Sequence, residues 1–271
     1  MSTLAKTEWL KIKSYNAFWW IIGVTALSYP GVSYIFHKAF QNLSQRSGQS
    51  AAVIKAIVGN PFTFPEVWHT LAYSCSLFVF IPSVVVIMFI TNEYTYKTHR
   101  QNIVDGWSRN QFLTSKMMDV LIVSLAITIL YIAISLVIGF SNISDASFDR
   151  WSQVYYIGLF TLQTFSQLSI AFLVGFLVRK AFISLGIFLF YFLVVENVIV
   201  IYGTVKKIPA VEFMPIEMSD RLVPPPAFWG RFDNASYQLR LSEVNSHVFY
   251  TIIFTALIWF ICFRINSKRD L

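Results

Sequence analysis

Six times in 271 residues the chain stays apolar for about the twenty residues that a helix needs to cross a bilayer core. The runs are 17–38, 66–91, 117–140, 153–178, 181–202 and 248–265. Inside lipid every backbone N–H and C=O must find a partner within the protein, and a helix does this alone. The runs therefore predict an all-α integral membrane protein with six transmembrane helices. Composition agrees, because only 13% of residues are charged where soluble domains carry about 25%. An ordinary soluble domain and a disordered chain are both excluded. Pro30 and Gly31 interrupt the first run, and Pro82 predicts a kink in the second. Cys75 and Cys262 lie within apolar runs, which argues for packing and against a disulfide framework or a zinc site.

The formal charge of +7 could indicate nucleic acid, but in so apolar a chain basic residues mark cytoplasmic loops. With both termini inside, twelve Lys and Arg fall on the cytoplasmic side and nine on the other, the twelve in shorter segments. That predicts cytoplasmic termini, contact with membrane lipids and no nucleic-acid partner. The long outer segment 203–247, rich in proline and aromatics, predicts short re-entrant or interfacial helices, with an ordered loop as the alternative.

The connection 92–116 between the second and third spans is the most informative stretch. Asp105-Gly106 supplies a glycine suited to end a helix in the left-handed conformation. Ser108 and Gln111 then form a Ser-x-x-Gln capping box, flanked by Trp107 and Phe112 at the positions of a hydrophobic staple. A cytoplasmic helical hairpin follows, with its second helix starting at Ser108. Its first helix, polar and basic, either contacts another protein at the membrane surface or lies as a solvated linker against headgroups.

These residues resemble the permease subunits of ABC-2 type ATP-binding-cassette transporters. The likeness is carried by an acidic residue closing the second span, a basic-Thr segment, a Ser-Arg pair, an aromatic and a Lys. Here these are Glu93, Lys97-Thr98, Ser108-Arg109, Phe112 and Lys116. The N-terminal TEWLKIKSYNAFWW is similar to that family's amphipathic elbow helix, about 3–16, and Arg100-Gln101-Asn102 is similar to a run in Bacteroidetes-type permeases. The resemblance implies an ABC-2 exporter-type permease fold in a single transmembrane domain, in the bacterial inner membrane. It also implies a homodimer or heterodimer with a second permease subunit, and two copies of a cytoplasmic ATPase that hold ATP and Mg. The hairpin would couple the two, with Glu93, Lys97, Arg100 and Arg109 as polar handles and Ile103, Val104 and Trp107 as anchors.

No Gly-x-x-x-x-Gly-Lys-Ser/Thr run occurs, so this chain is not expected to be its own P-loop ATPase, an enzyme or a cofactor carrier. His37, His69, His99 and His247 are scattered and predict no shared metal site. Within the spans, Glu196 with neighbouring Asn197 is the deepest carboxylate. It either faces a translocation pathway, contacting a polar or cationic part of the cargo, or is a packed group near the outer interface. Asp119 has the bearing of a structural partner for Lys116. Two other functions remain open: a polytopic membrane enzyme acting on lipid or peptide through Glu196, Asp119 and His69, and a non-transporting sensor or immunity component.

Overall fold

A computed structural model describes residues 16–45, 60–104, 106–142, 149–226 and 234–268. Among the described residues there is no strand, and the helices run α1 Asn16–Gln45, α2 Glu66–Ser76, α3 Phe80–Thr95, α4 Thr98–Val104 and α5 Arg109–Ser141. They continue as α6 Tyr156–Val178, α7 Ala181–Phe190, a π-helical turn Tyr191–Val195, α8 Glu196–Val205, a 3-10 turn Pro209–Phe213, α9 Pro215–Asp220 and α10 Asn234–Lys268. The elbow segment lies outside the described residues.

Four units are long and apolar enough to cross a membrane: α5, α6, α7 continued through α8, and α10. The bent pair α2–α3 makes a fifth. The chain is a multi-pass membrane protein. At 30 residues α1 is about 45 Å long, and it continues unbroken through Pro30, although Trp, Tyr and Ser dilute its apolar character. The expected count of six turns on this helix.

The bend in the second span is 51° and falls at Leu77–Val79, a turn before the proline expected to cause it. Pro82 has no N–H to offer the carbonyl four residues back, at Phe78. That carbonyl accepts instead from Ile81 N at 3.0 Å, and Ser83 N resumes the helical ladder on Val79 O at 3.2 Å. The kink thus sits where the missing donor leaves the ladder. The last helix also starts earlier than its apolar run, because the polar residues from Asn234 onward continue the same helix beyond the apolar stretch.

At the centre stands α6, packed by α2, α3, α5, α7, α9 and α10. Leu168, Ala171, Phe172 and Phe176 are buried on it. Lipid tails are as apolar as leucine, so close packing and interhelical hydrogen bonds hold such a bundle rather than escape from water. Gly175 supplies the closeness, since a Cβ there would stand 2.6 Å from Ile90 Cγ2. Trp259 of α10 stacks on Phe172 at 4.8 Å between ring centroids and donates Nε1–H to Ser169 Oγ at 3.0 Å. Cys75 and Cys262 are both buried in this core.

Candidate functional site: a hairpin clamped to the bundle

The turn between α4 and α5 is built from local chemistry. Gly106 has φ +96°, its N–H donates to Ile103 O at 3.0 Å, and Trp107 N–H donates to Asn102 O at 3.0 Å. Those two bonds make a Schellman ending for α4. Ser108 Oγ accepts Gln111 N–H at 3.2 Å while Gln111 Oε1 accepts Ser108 N–H at 2.8 Å, closing the capping box of α5. Trp107 is half-buried against the core and Phe112 is buried.

The base of the hairpin is held by buried charge. Lys116 Nζ lies 2.8 Å from Glu93 Oε1 and 3.5 Å from Asp119 Oδ2, and all three side chains are buried. Thr98 Oγ1 donates to the other Glu93 oxygen, and the Glu93 carbonyl meets His99 Nδ1 at 2.9 Å. Glu93 therefore ties the end of α3 to both arms of the hairpin. Its carboxylate is not presented to a partner, because Lys116, 23 positions on, encloses it. Asp119 takes the structural role expected of it.

Arg109, half-buried, reaches across to the end of the last helix. Its Nη1 donates to Ser267 O at 3.2 Å, and Asn266 Nδ2 donates to Arg109 O at 2.8 Å. A cation there also complements the negative end of α10. Ile103 is half-buried, whereas Lys97 and Arg100 are exposed and Val104 is 85% exposed. Tyr96, which sequence reasoning passed over, is 69% exposed. Lys97 has φ +56° in the αL region, so it turns the chain between α3 and α4 where glycine is more usual.

A second polar centre occupies the opposite end of the bundle. Glu196 follows the π-helical turn and is buried, and its Oε1 accepts Ile216 N–H at 2.6 Å and Glu217 N–H at 2.8 Å. It thereby caps α9 from a distant part of the chain. Asn197 Nδ2 donates to Phe192 O at 2.9 Å, satisfying a carbonyl of the π-helical turn. The residue that sequence reasoning missed is Asp220, whose Oδ1 accepts Gln163 Nε2 at 2.8 Å and Gln167 Nε2 at 2.7 Å. Asp220 is exposed by its accessible surface and lines a cavity, with its carboxyl set among the surrounding helices. Desolvation of the carboxyl by the protein packed around it, with the charge of Glu217 adding to it, pushes it up to about 7. The signal available in the sequence was Gln163 and Gln167, four apart on one face of an apolar span.

The residues of the enzyme reading do not converge. Asp119 is clamped at the hairpin end, while His69 stacks on Tyr156 at 4.1 Å and its Nε2 lies 2.7 Å from Pro224 O. Tyr131 of α5 donates to the carbonyl of Trp68, next to His69, at 2.7 Å. Twelve residues of helix separate Asp119 from Tyr131, about 18 Å. Among the described residues, His247 lies with Glu212 and Glu243 in a group whose ligand atoms are within 4.8 Å of one another. Arg221 supplies the cation there, at 3.5 Å from Glu212 and 2.9 Å from Glu243.

The chain matches the family model described as ABC-2 family transporter protein over residues 4–195. It belongs to the ABC-2 transporter family. The matched segment includes the hairpin and its clamp and ends one residue before Glu196. A comparison with curated proteins gives no match.

Proposed function

We propose that this ABC-2 protein is the permease subunit of an exporter in the bacterial inner membrane, with both termini cytoplasmic and α1 as a sixth span. A second permease subunit completes the pathway. Two copies of a separate cytoplasmic ATPase bind ATP and Mg and perform the hydrolysis, and this chain carries out no bond chemistry.

The observation that carries the reading is the contrast between the two sides of the hairpin. Glu93, Lys116 and Arg109 bind it rigidly to α3, α5 and α10, while Val104, Tyr96, Lys97 and Arg100 are held outward. An exposed valine beside basic residues on a rigid mount suits docking in a cleft, where a few buried anchors carry the affinity. The handles are therefore Lys97 and Arg100 with Val104 as anchor, and Glu93 and Arg109 act as positioning residues. Closing of the ATPase pair would move the hairpin, and α3 and α5 would carry that movement into the membrane.

The test is co-purification from cells expressing this chain and its genomic neighbours. Val104→Asp with Lys97→Glu changes two exposed positions and should lower recovery of the ATPase at least tenfold, with the permease still monodisperse. Undiminished recovery would remove residues 96–104 from the coupling role.

A further inference from the structure

A second cavity, of about 230 Å³, lies at the end of the bundle away from the hairpin, between the start of α2, the residues leading into α6 and the first turns of α10. A water molecule takes about 30 Å³, so the space suits an organic group better than a bare metal ion. Glu66, His69 and Thr70 line it from positions i, i+3 and i+4 of α2, one face of that helix.

Each of the three offers an acceptor that the fold leaves unused. His69 Nε2 lies 2.7 Å from Pro224 O, and because a carbonyl only accepts, this nitrogen carries the ring hydrogen and Nδ1 keeps its lone pair. His69 is 5% exposed, yet Nδ1 has no hydrogen bond and is not sealed off. Thr70 is 4% exposed, and its Oγ1 is likewise unbonded and open. The half-buried Glu66 carboxylate has no hydrogen bond or ion pair among the described residues. Capping of α2 does not use it, since the amides of Val67 and Trp68 already donate to Thr63 O and Pro65 O.

The same wall is aromatic and rigid. The His69 ring lies 6° from parallel to Tyr156 at 4.1 Å, and Tyr156 stacks on Tyr155 at 4.5 Å. Tyr237 of α10 adds a further ring. This stack and the bond to Pro224 fix the direction of Nδ1 before any ligand arrives, which lowers the cost of binding one.

We propose that this cavity binds an alkylguanidinium ion. Among the described residues of the wall Glu66 is the only charged one, and all three open groups can accept, so the matching ligand is a cation with several N–H donors. A guanidinium presents its donors in one plane, stacks on aromatic rings and is weakly hydrated, so it gives up water for such a wall more readily than an ammonium does. The group comes either from a free alkylguanidine or from an arginine side chain of a peptide. Neither ATP nor the ATPase takes part in binding, so this inference stands or falls apart from the coupling role.

Calorimetry on the full-length protein in phosphatidylcholine nanodiscs, with empty nanodiscs as the blank, tests it. The probe n-butylguanidinium reads the free-cation arm, an acetylated tripeptide with arginine at its centre reads the peptide arm, and n-butylammonium controls for charge alone. The tighter-binding guanidinium probe should exceed n-butylammonium at least tenfold, and which probe that is assigns the source. Glu66→Gln should weaken its binding about tenfold and Thr70→Val about threefold. Neither substitution removes a hydrogen bond of the folded protein, and unchanged melting temperatures would verify that both variants fold. No binding of either guanidinium probe, n-butylammonium binding equally well, or binding indifferent to both substitutions would overturn the proposal.

Discussion

Removing Lys116 should damage the protein far more than removing the carboxylate it faces. In Lys116→Met the side-chain volume is nearly kept, but Glu93 and Asp119, 5% and 6% exposed, lose this cation. Removing one member of a buried ion pair costs up to about 3–5 kcal/mol. In Glu93→Gln the amide oxygen still accepts from Lys116 or Thr98, and Asp119 stays within reach of the ammonium. The loss is then that of charge-assisted bonding, about 1–2 kcal/mol. The double variant should cost less than the sum of the singles by at least about 1.5 kcal/mol, because neutralising Glu93 relieves part of what Lys116→Met strands. Reversible unfolding in mixed micelles, followed by tryptophan fluorescence, measures all three. Additive costs, or a Lys116→Met variant no weaker than Glu93→Gln, would refute the clamp as the basis of hairpin rigidity.

Three further outcomes are expected. Gly106→Ala meets no atom within 4 Å, so its cost is the backbone strain at φ +96° alone, about 1–2 kcal/mol in the same unfolding assay. Gly203→Ala would place a Cβ 2.0 Å from Val211 Cγ1 and should destabilise by about 1–3 kcal/mol, whereas Gly158→Ala, with open space around it, should not. Asp220 is raised from 3.8 to about 7, so the folded protein keeps a proton that the unfolded chain releases. Its stabilisation is complete below about pH 4 and is lost as pH rises through 7. Melting temperature should therefore fall between pH 5 and 8 in the wild type and stay flatter in Asp220→Asn.

What could be read from the sequence was what neighbouring residues determine. The Schellman ending at Gly106 and the capping box at Ser108–Gln111 depend on side chains within a few positions, and both stand where the residue types put them. Glu93 was legible as an acidic residue closing a span, but its enclosure by Lys116 depends on two helices folding back on each other. Asp220 was hidden in a proline-rich stretch, with its glutamine partners more than fifty residues upstream. The π-helical turn before Glu196 has no local signature, since Tyr-Phe-Leu-Val-Val serves equally well in an ordinary apolar helix.

The length of α10 has a mechanical consequence. One unbroken helix carries Arg240 at the cavity that Asp220 lines and Ser267 at the hairpin clasp, 27 residues and about 40 Å apart. A rod of that length, tilted by about ten degrees around its clasped end, sweeps its far end through about 7 Å. A small rotation imposed where Arg109 grips the helix would thus arrive at the acidic cavity as a displacement larger than a side chain, with no relay of intervening residues required.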